Sequence, residues 1–140
     1  MTNQSKNELI SLIFTATRLI KERTVRHGNI DPFSMAQFKV LALVAEKGTP
    51  TMKDIADFLY ITSPSATAII NRLVKARELE RVYDKEDRRI VRLKLTEKGK
   101  KSLAEGRKGA TARMSKVIES LNEKEKKDLA NILTKIINSK

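Results

Sequence analysis

The groups in this chain that could do chemistry are mostly cations held at fixed spacing. Asp87-Arg88-Arg89 heads a segment ending at Thr96, in which Val91, Leu93 and Leu95 alternate with Arg92 and Lys94. A period of two makes a strand with one apolar and one cationic face. The charged turn before it, Asp84-Lys85-Glu86-Asp87, lifts Arg88 and Arg89 to the tip of a hairpin. Guanidinium groups presented there suit phosphate oxygens and base edges.

A second constellation lies just upstream. Ser63 is an N-cap candidate, and Pro64 falls where a first helical turn accepts proline. Ala66, Ile69, Ile70 and Leu73 make one apolar stripe, and the opposite face shows Ser65, Thr67, Ala68, Asn71, Arg72 and Lys75. Residues 61–77 contain Arg72, Lys75 and Arg77 and no acidic residue. Small residues near the helix start let a backbone approach DNA. Thr67 can bond a base or pack on a thymine methyl, and Arg72 can reach a guanine edge or a phosphate. An ordinary solvated helix face has the same composition.

Composition narrows the classes. The 140 residues carry a net charge of +12, which favours a polyanionic partner through counterion release. The excess is spread along the chain: seven basic and four acidic groups in 1–50, eleven and eight in 51–99, eleven and five in 100–140. There is no cysteine, which excludes disulfides, thiolate catalysis and cysteine-ligated zinc. A lone histidine, His27, argues against a histidine metal site and reads as a helix-end residue. No metal, cofactor or catalytic residue set is expected, and the chain does not read as an enzyme. No apolar run approaches the roughly 18 residues of a membrane span and no signal peptide opens the chain, so a cytoplasmic location is expected.

The elements that must position these groups follow from periodicity. A first helix is expected over 5–26, apolar on more than one side through Leu9, Ile10, Leu12, Ile13, Phe14, Leu19 and Ile20, as for a helix covered by a partner subunit as well as its own core. Gly28 would close it, and Asp31-Pro32 would turn the chain. Ser34 with Gln37 forms a capping box for a second helix ended by Gly48. A short third helix starts at Thr51 and Asp54, and Tyr60-Ile61-Thr62 forms the turn into the fourth, which runs to about Ala76. The hairpin occupies about 79–83 and 89–95. A long helix then runs from Thr96 to roughly Leu121, and Asn122 with Glu125 caps a last, apolar-striped helix that should dock.

From Ser34 to Gly99 the chain resembles the MarR family of winged helix-turn-helix transcription regulators. The likeness is carried by Phe38 and Leu41, by Ile55-Ala56 and Leu59, by Thr67 with Asn71-Arg72-Leu73, and by Leu79-Glu80-Arg81. It is most specific in the D-x-R-x-x-x-x-x-L-T pattern at Asp87, Arg89, Leu95 and Thr96, closed by Gly99. The resemblance implies one mainly α domain with a β-hairpin wing, in which 34–99 is the DNA-binding region and 1–33 and 100–140 hold the dimerisation helices.

It further implies a homodimeric, sequence-specific repressor of a pseudo-palindromic operator, possessing a binding place for a small phenolic or anionic effector. Arg89 would enter the minor groove and Asp87 would orient it, with Arg88 beside them. Thr67, Asn71 and Arg72 would lie on the recognition helix, with Ser65 and Lys75 near phosphates and Ser63 also in the DNA-binding set. Two positions depart from the pattern. Ala68 stands where the family often has arginine. Arg77 stands where a glycine usually ends the helix, so either the helix ends differently or Arg77 adds a phosphate contact. Phe14, Phe33, Phe38 and Tyr60, and Met35, Met52 and Met114, are expected in core packing rather than in a ligand pocket. The alternatives are an architectural DNA-binding protein of low specificity, and a non-DNA small-molecule module or enzyme on the same frame.

Overall fold

Helical periodicity becomes six helices among the described residues, and the alternating stretch becomes a hairpin. The structure, a computed structural model, describes residues 2–28 and 32–139, without the side chains of 25–28 and 32. In order the elements are α1 (Asn3–Gly28), α2 (Pro32–Lys47), α3 (Met52–Leu59), α4 (Ser63–Lys75), β1 (Leu79–Tyr83), β2 (Val91–Leu95), α5 (Glu97–Ile118) and α6 (Glu123–Asn138).

Four boundaries differ from the sequence reading. Helix α2 starts at Pro32, as proline in a first turn allows, so Ser34 lies inside that turn instead of capping it. Strand β2 starts at Val91, because Arg88 and Arg89 belong to the turn. Helix α5 stops at Ile118. Helix α1 continues through Gly28; the expected turn at Asp31-Pro32 falls partly on 29–31, outside the described residues, as does the His27 side chain.

The chain forms two compact units, one of residues Asn29–Lys108, the other of Met1–Gly28 with Gly109–Lys140. In the first, α2 contributes Val40, Leu41, Leu43 and Val44 to the core, α3 contributes Ile55 and Ala56, and α4 contributes Ala66, Ile69, Ile70 and Leu73. Leu79, Leu93 and Leu103 complete it from β1, β2 and α5. Each fully buried branched side chain contributes about 1.5–3 kcal/mol over an exposed one. Glycine lets α5 approach this core: a Cβ on Gly99 would sit 2.0 Å from the Glu78 carbonyl oxygen, and one on Gly106 would sit 2.5 Å from the Phe38 ring. Close approach here outweighs glycine's helix penalty of about 1 kcal/mol.

The hairpin is antiparallel, with Leu79 opposite Leu95, Arg81 opposite Leu93 and Tyr83 opposite Val91. Its far edge is also engaged. Thr51 bridges Arg92, and the Leu93 N–H donates to the Pro50 carbonyl at 2.9 Å. The second unit is built of α1, α6 and the later part of α5. Asn122 and Glu125 form the expected capping box on α6, which buries no residue.

Candidate nucleic-acid interface

Helix α3 is opened by a reciprocal capping box: Asp54 N–H donates to Thr51 Oγ1 at 3.1 Å, and Thr51 N–H donates to Asp54 Oδ2 at 2.9 Å. Donation from the Thr51 backbone and hydroxyl holds the Asp54 carboxyl below the usual carboxylate range. The helix ends on Tyr60, whose φ of 53° is left-handed. Tyr60 N–H bonds the Asp57 carbonyl and Ile61 N–H bonds that of Ala56, so the turn between the two helices closes without glycine. Tyr60 is 95% exposed and Phe14 73%, which removes both from the core. Met114 is also exposed, whereas Phe33, Phe38 and Met52 pack against the core and Met35 is half-buried.

Helix α4 is capped by Thr62, not Ser63. Thr62 Oγ1 accepts from the Ser65 N–H at 3.3 Å and bonds the Ser65 hydroxyl at 2.9 Å. Both residues are capping types, and Pro64 is accommodated one place further into the helix than the sequence reading had it. The buried stripe is Ala66, Ile69, Ile70 and Leu73, as expected; Ser63, Ser65, Ala68, Asn71, Arg72 and Lys75 are exposed and Thr67 is half-buried.

Side chains on this face already have partners. Thr67 Oγ1 donates to the Ser63 carbonyl at 2.9 Å, which leaves its methyl group and its acceptor capacity for a base. The Arg72 guanidinium lies 4.1 Å from the centre of the Phe33 ring. A stacked guanidinium keeps its in-plane donors, so Phe33 sets Arg72's orientation without consuming its hydrogen bonds. Asn71 Oδ1 accepts from Arg81 Nη2 of β1.

The end of α4 resolves the Arg77 question. Ala76 caps the helix and Arg77 takes φ 61°, the conformation glycine favours. Arg77 N–H bonds the Val74 carbonyl at 3.0 Å and Glu78 N–H bonds that of Leu73 at 2.9 Å, a Schellman closure. Left-handed backbone costs a side-chain-bearing residue about 1–2 kcal/mol. Surrounding bonds hold it there: Thr96 Oγ1 donates to the Arg77 carbonyl at 2.5 Å and Lys98 Nζ to that of Ala76 at 2.8 Å. The helix therefore ends in the left-handed conformation that glycine favours, with arginine adopting it.

The hairpin tip is built by two aspartates. Asp84 Oδ1 accepts from the N–H groups of Glu86 at 2.9 Å and Asp87 at 3.2 Å, while Asp84 Oδ2 accepts from Arg92 Nε at 2.7 Å. Asp87 then holds Arg89 in a two-pronged grip, with Oδ1 accepting from Nε at 3.1 Å and Oδ2 from Nη2 at 3.2 Å. The Arg89 N–H adds a bond to Oδ1 at 3.0 Å. Both carboxyls lie below the usual range, Asp84 chiefly through the Arg92 side chain and Asp87 chiefly through that of Arg89. Arg89 is 90% exposed at the tip even while paired, and Arg88 beside it is exposed as well.

Four residues that the sequence reading named without a site role, Arg81, Asp84, Arg92 and Thr96, hold the site together. Asp84 had a local signal, since an aspartate two residues before a turn amide commonly accepts from it. Arg92 had none. Besides Asp84 it reaches the Thr49 carbonyl at 3.0 Å, a contact spanning 43 positions in sequence. Among the described residues no cluster of His, Cys, Asp or Glu suits a metal ion, and no helix is long and apolar enough to cross a membrane.

A helix-turn-helix backed by a hairpin whose tip is a clamped arginine defines the winged helix-turn-helix class. The sequence model of the MarR family matches residues 33–91. FarR of Neisseria gonorrhoeae, an HTH-type transcriptional regulator, is 36% identical over 103 residues, covering 71% of this chain and 70% of FarR. Among solved structures, a MarR family protein from Bacillus stearothermophilus superposes with a TM-score of 0.78 at 24% identity, covering 97% of this chain and 95% of that one. BpsR of Bordetella bronchiseptica, whose DNA binding is regulated by 6-hydroxynicotinic acid, gives 0.68 at 22% identity, covering 94% and 99%. These two structures share the fold. The chain belongs to the MarR family of transcriptional regulators and is a DNA-binding protein.

Proposed function

We propose that this protein is a homodimeric repressor that recognises a pseudo-palindromic operator, with 34–99 as its DNA-binding region and the flanking helices as its dimer interface. The observation that carries this reading is the Asp87 grip, which presents Arg89 as a pre-oriented, exposed guanidinium. Orienting the side chain before binding lowers the ordering cost of inserting it into a narrow minor groove, where negative potential is concentrated. Arg88 flanks it. On α4, Thr67, Ala68, Asn71 and Arg72 face bases, while Ser63, Ser65 and Lys75, with Arg77 just past the helix end, approach phosphates. Two recognition helices would enter major grooves about 34–36 Å apart. The role is regulatory rather than catalytic, and cytoplasmic. Regulation of BpsR by 6-hydroxynicotinic acid supports release by a small phenolic or anionic effector here.

The test is anisotropy titration of the DNA upstream of the protein's own gene, over a range of salt. Operator should outcompete random duplex by about 10³-fold or more. Arg89→Ala should weaken binding to every duplex and reduce the salt slope by about one unit. An unchanged slope would remove Arg89 from the interface. A second reading, an architectural DNA-binding protein, is favoured by the eleven basic against five acidic residues in 100–140. It predicts near-equal affinity for operator and random duplex.

A further inference from the structure

The inner face of the hairpin holds one residue whose type does not match its place. Cross-strand partners share a face, so Leu79, Leu95, Arg81, Leu93, Tyr83 and Val91 all lie on one side. That side meets the core, since Leu79 and Leu93 are buried and Leu95 packs against them. Arg81 is the charged residue among the six. Its guanidinium is exposed at the margin of the core, and Nη2 donates to Asn71 Oδ1 on the outer face of α4. Among the described residues no carboxylate pairs with it.

A guanidinium only donates, so the Asn71 atom facing it is the carbonyl oxygen and the NH2 group is turned away from it. We propose that Arg81 is a positioning residue that makes Asn71 a donor-only reader, selecting guanine over adenine at the base pair it faces. An unrestrained asparagine reads adenine through two opposed bonds, its oxygen accepting from N6 and its NH2 donating to N7. The oxygen is held at the Arg81 guanidinium, whose own N–H donors repel adenine's amino donor there, so the NH2 group is the part left to read a base. Guanine meets it with two adjacent acceptors, O6 and N7, whereas adenine sets its own amino donor beside N7. This assignment rests on the sequence-specific reading above and adds to it which base is read and by what arrangement.

Selection from randomised duplexes, using the full chain, tests it. Wild type should favour guanine over adenine about tenfold or more at one base pair per half-site, and Asn71→Ala should erase the preference at that pair alone. Arg81→Met frees the amide and should bring adenine to within about twofold of guanine at the same pair. Arg81→Lys, whose ammonium also only donates, should keep guanine. Should Arg81→Met fail to fold in a melting control, Arg81→Gln, whose amide can accept as well as donate, should admit adenine likewise. A merely structural Arg81 would lower affinity for all duplexes and leave base preference unmoved. A selected site unchanged by Arg81→Met, or with adenine at the pair mapped by Asn71→Ala, overturns the inference alone. If wild type selects no site, the sequence-specific reading falls with it.

Discussion

The two compact units dispose of apolar surface in opposite ways. Among the described residues, every buried hydrophobic side chain, from Val40 to Leu103, belongs to the 29–108 unit. The unit of α1, α6 and the later part of α5 instead exposes Leu9, Ile10, Leu12, Ile13, Phe14 and Leu19 on one helix and Ile132, Leu133, Ile136 and Ile137 on another. A surface this apolar is what a permanent interface leaves when one subunit is viewed alone. The 29–108 unit thus has a core of its own, while the other has the makings of half of one. That contrast supports the homodimer proposed above.

The sharpest way to break the contrast is to charge the exposed face. Ile132→Glu with Ile136→Glu should yield monomers by light scattering and, because both half-sites must be held at once, lower operator affinity by about 10²–10⁴-fold. A variant that stays dimeric would place the interface elsewhere. In that monomeric background, Leu93→Ala should cost about 2–5 kcal/mol in urea unfolding, since it empties a fully buried site. The parallel truncation Leu12→Ala should change stability by less than about 0.5 kcal/mol. Equal effects at the two positions would erase the distinction.

A smaller change sharpens it within the 29–108 unit. Arg77→Gly relieves the left-handed strain and should raise stability by about 1 kcal/mol. If Arg77 also touches a phosphate, the salt slope of DNA binding should fall by about one unit in the same variant. The mildest effect is with acid. Asp54, Asp84 and Asp87 all have native values below the ordinary one. Their stabilisation is complete above the unfolded value of about 3.9 and is lost as pH falls through the lower native values. Acid titration by circular dichroism should show this loss below about pH 4, and Asp84→Asn should make it shallower.

What was legible in the sequence was whatever has a period or a local signature. The buried stripe of α4, the strand from Val91 to Leu95 and the capping box at Asn122 and Glu125 are of that kind. The Asp87–Arg89 contact, two residues apart, followed from the family pattern. Adjacent Thr62 and Ser63 compete for one cap; propensity favours the serine, and the turn from α3 places the threonine there instead. Phe14, Tyr60 and Met114 were misplaced because residue type says what prefers burial, not whether one chain supplies enough cover. Arg81–Asn71 and Arg92–Thr49 join elements that only the completed fold brings together.

That last contact has a consequence in time. Arg92 and Leu93 fasten β2 to Thr49 and Pro50, the residues just before α3, so the whole helix-turn-helix lies inside a loop clasped at its base. Both helices leave the ribosome before the strand that closes the loop. Local helices form within microseconds, but closure must await Leu93. A nascent chain arrested short of that residue would hold α3 and α4 and lack the strand that clasps them. The frame around α3 and α4 is therefore closed only late in synthesis.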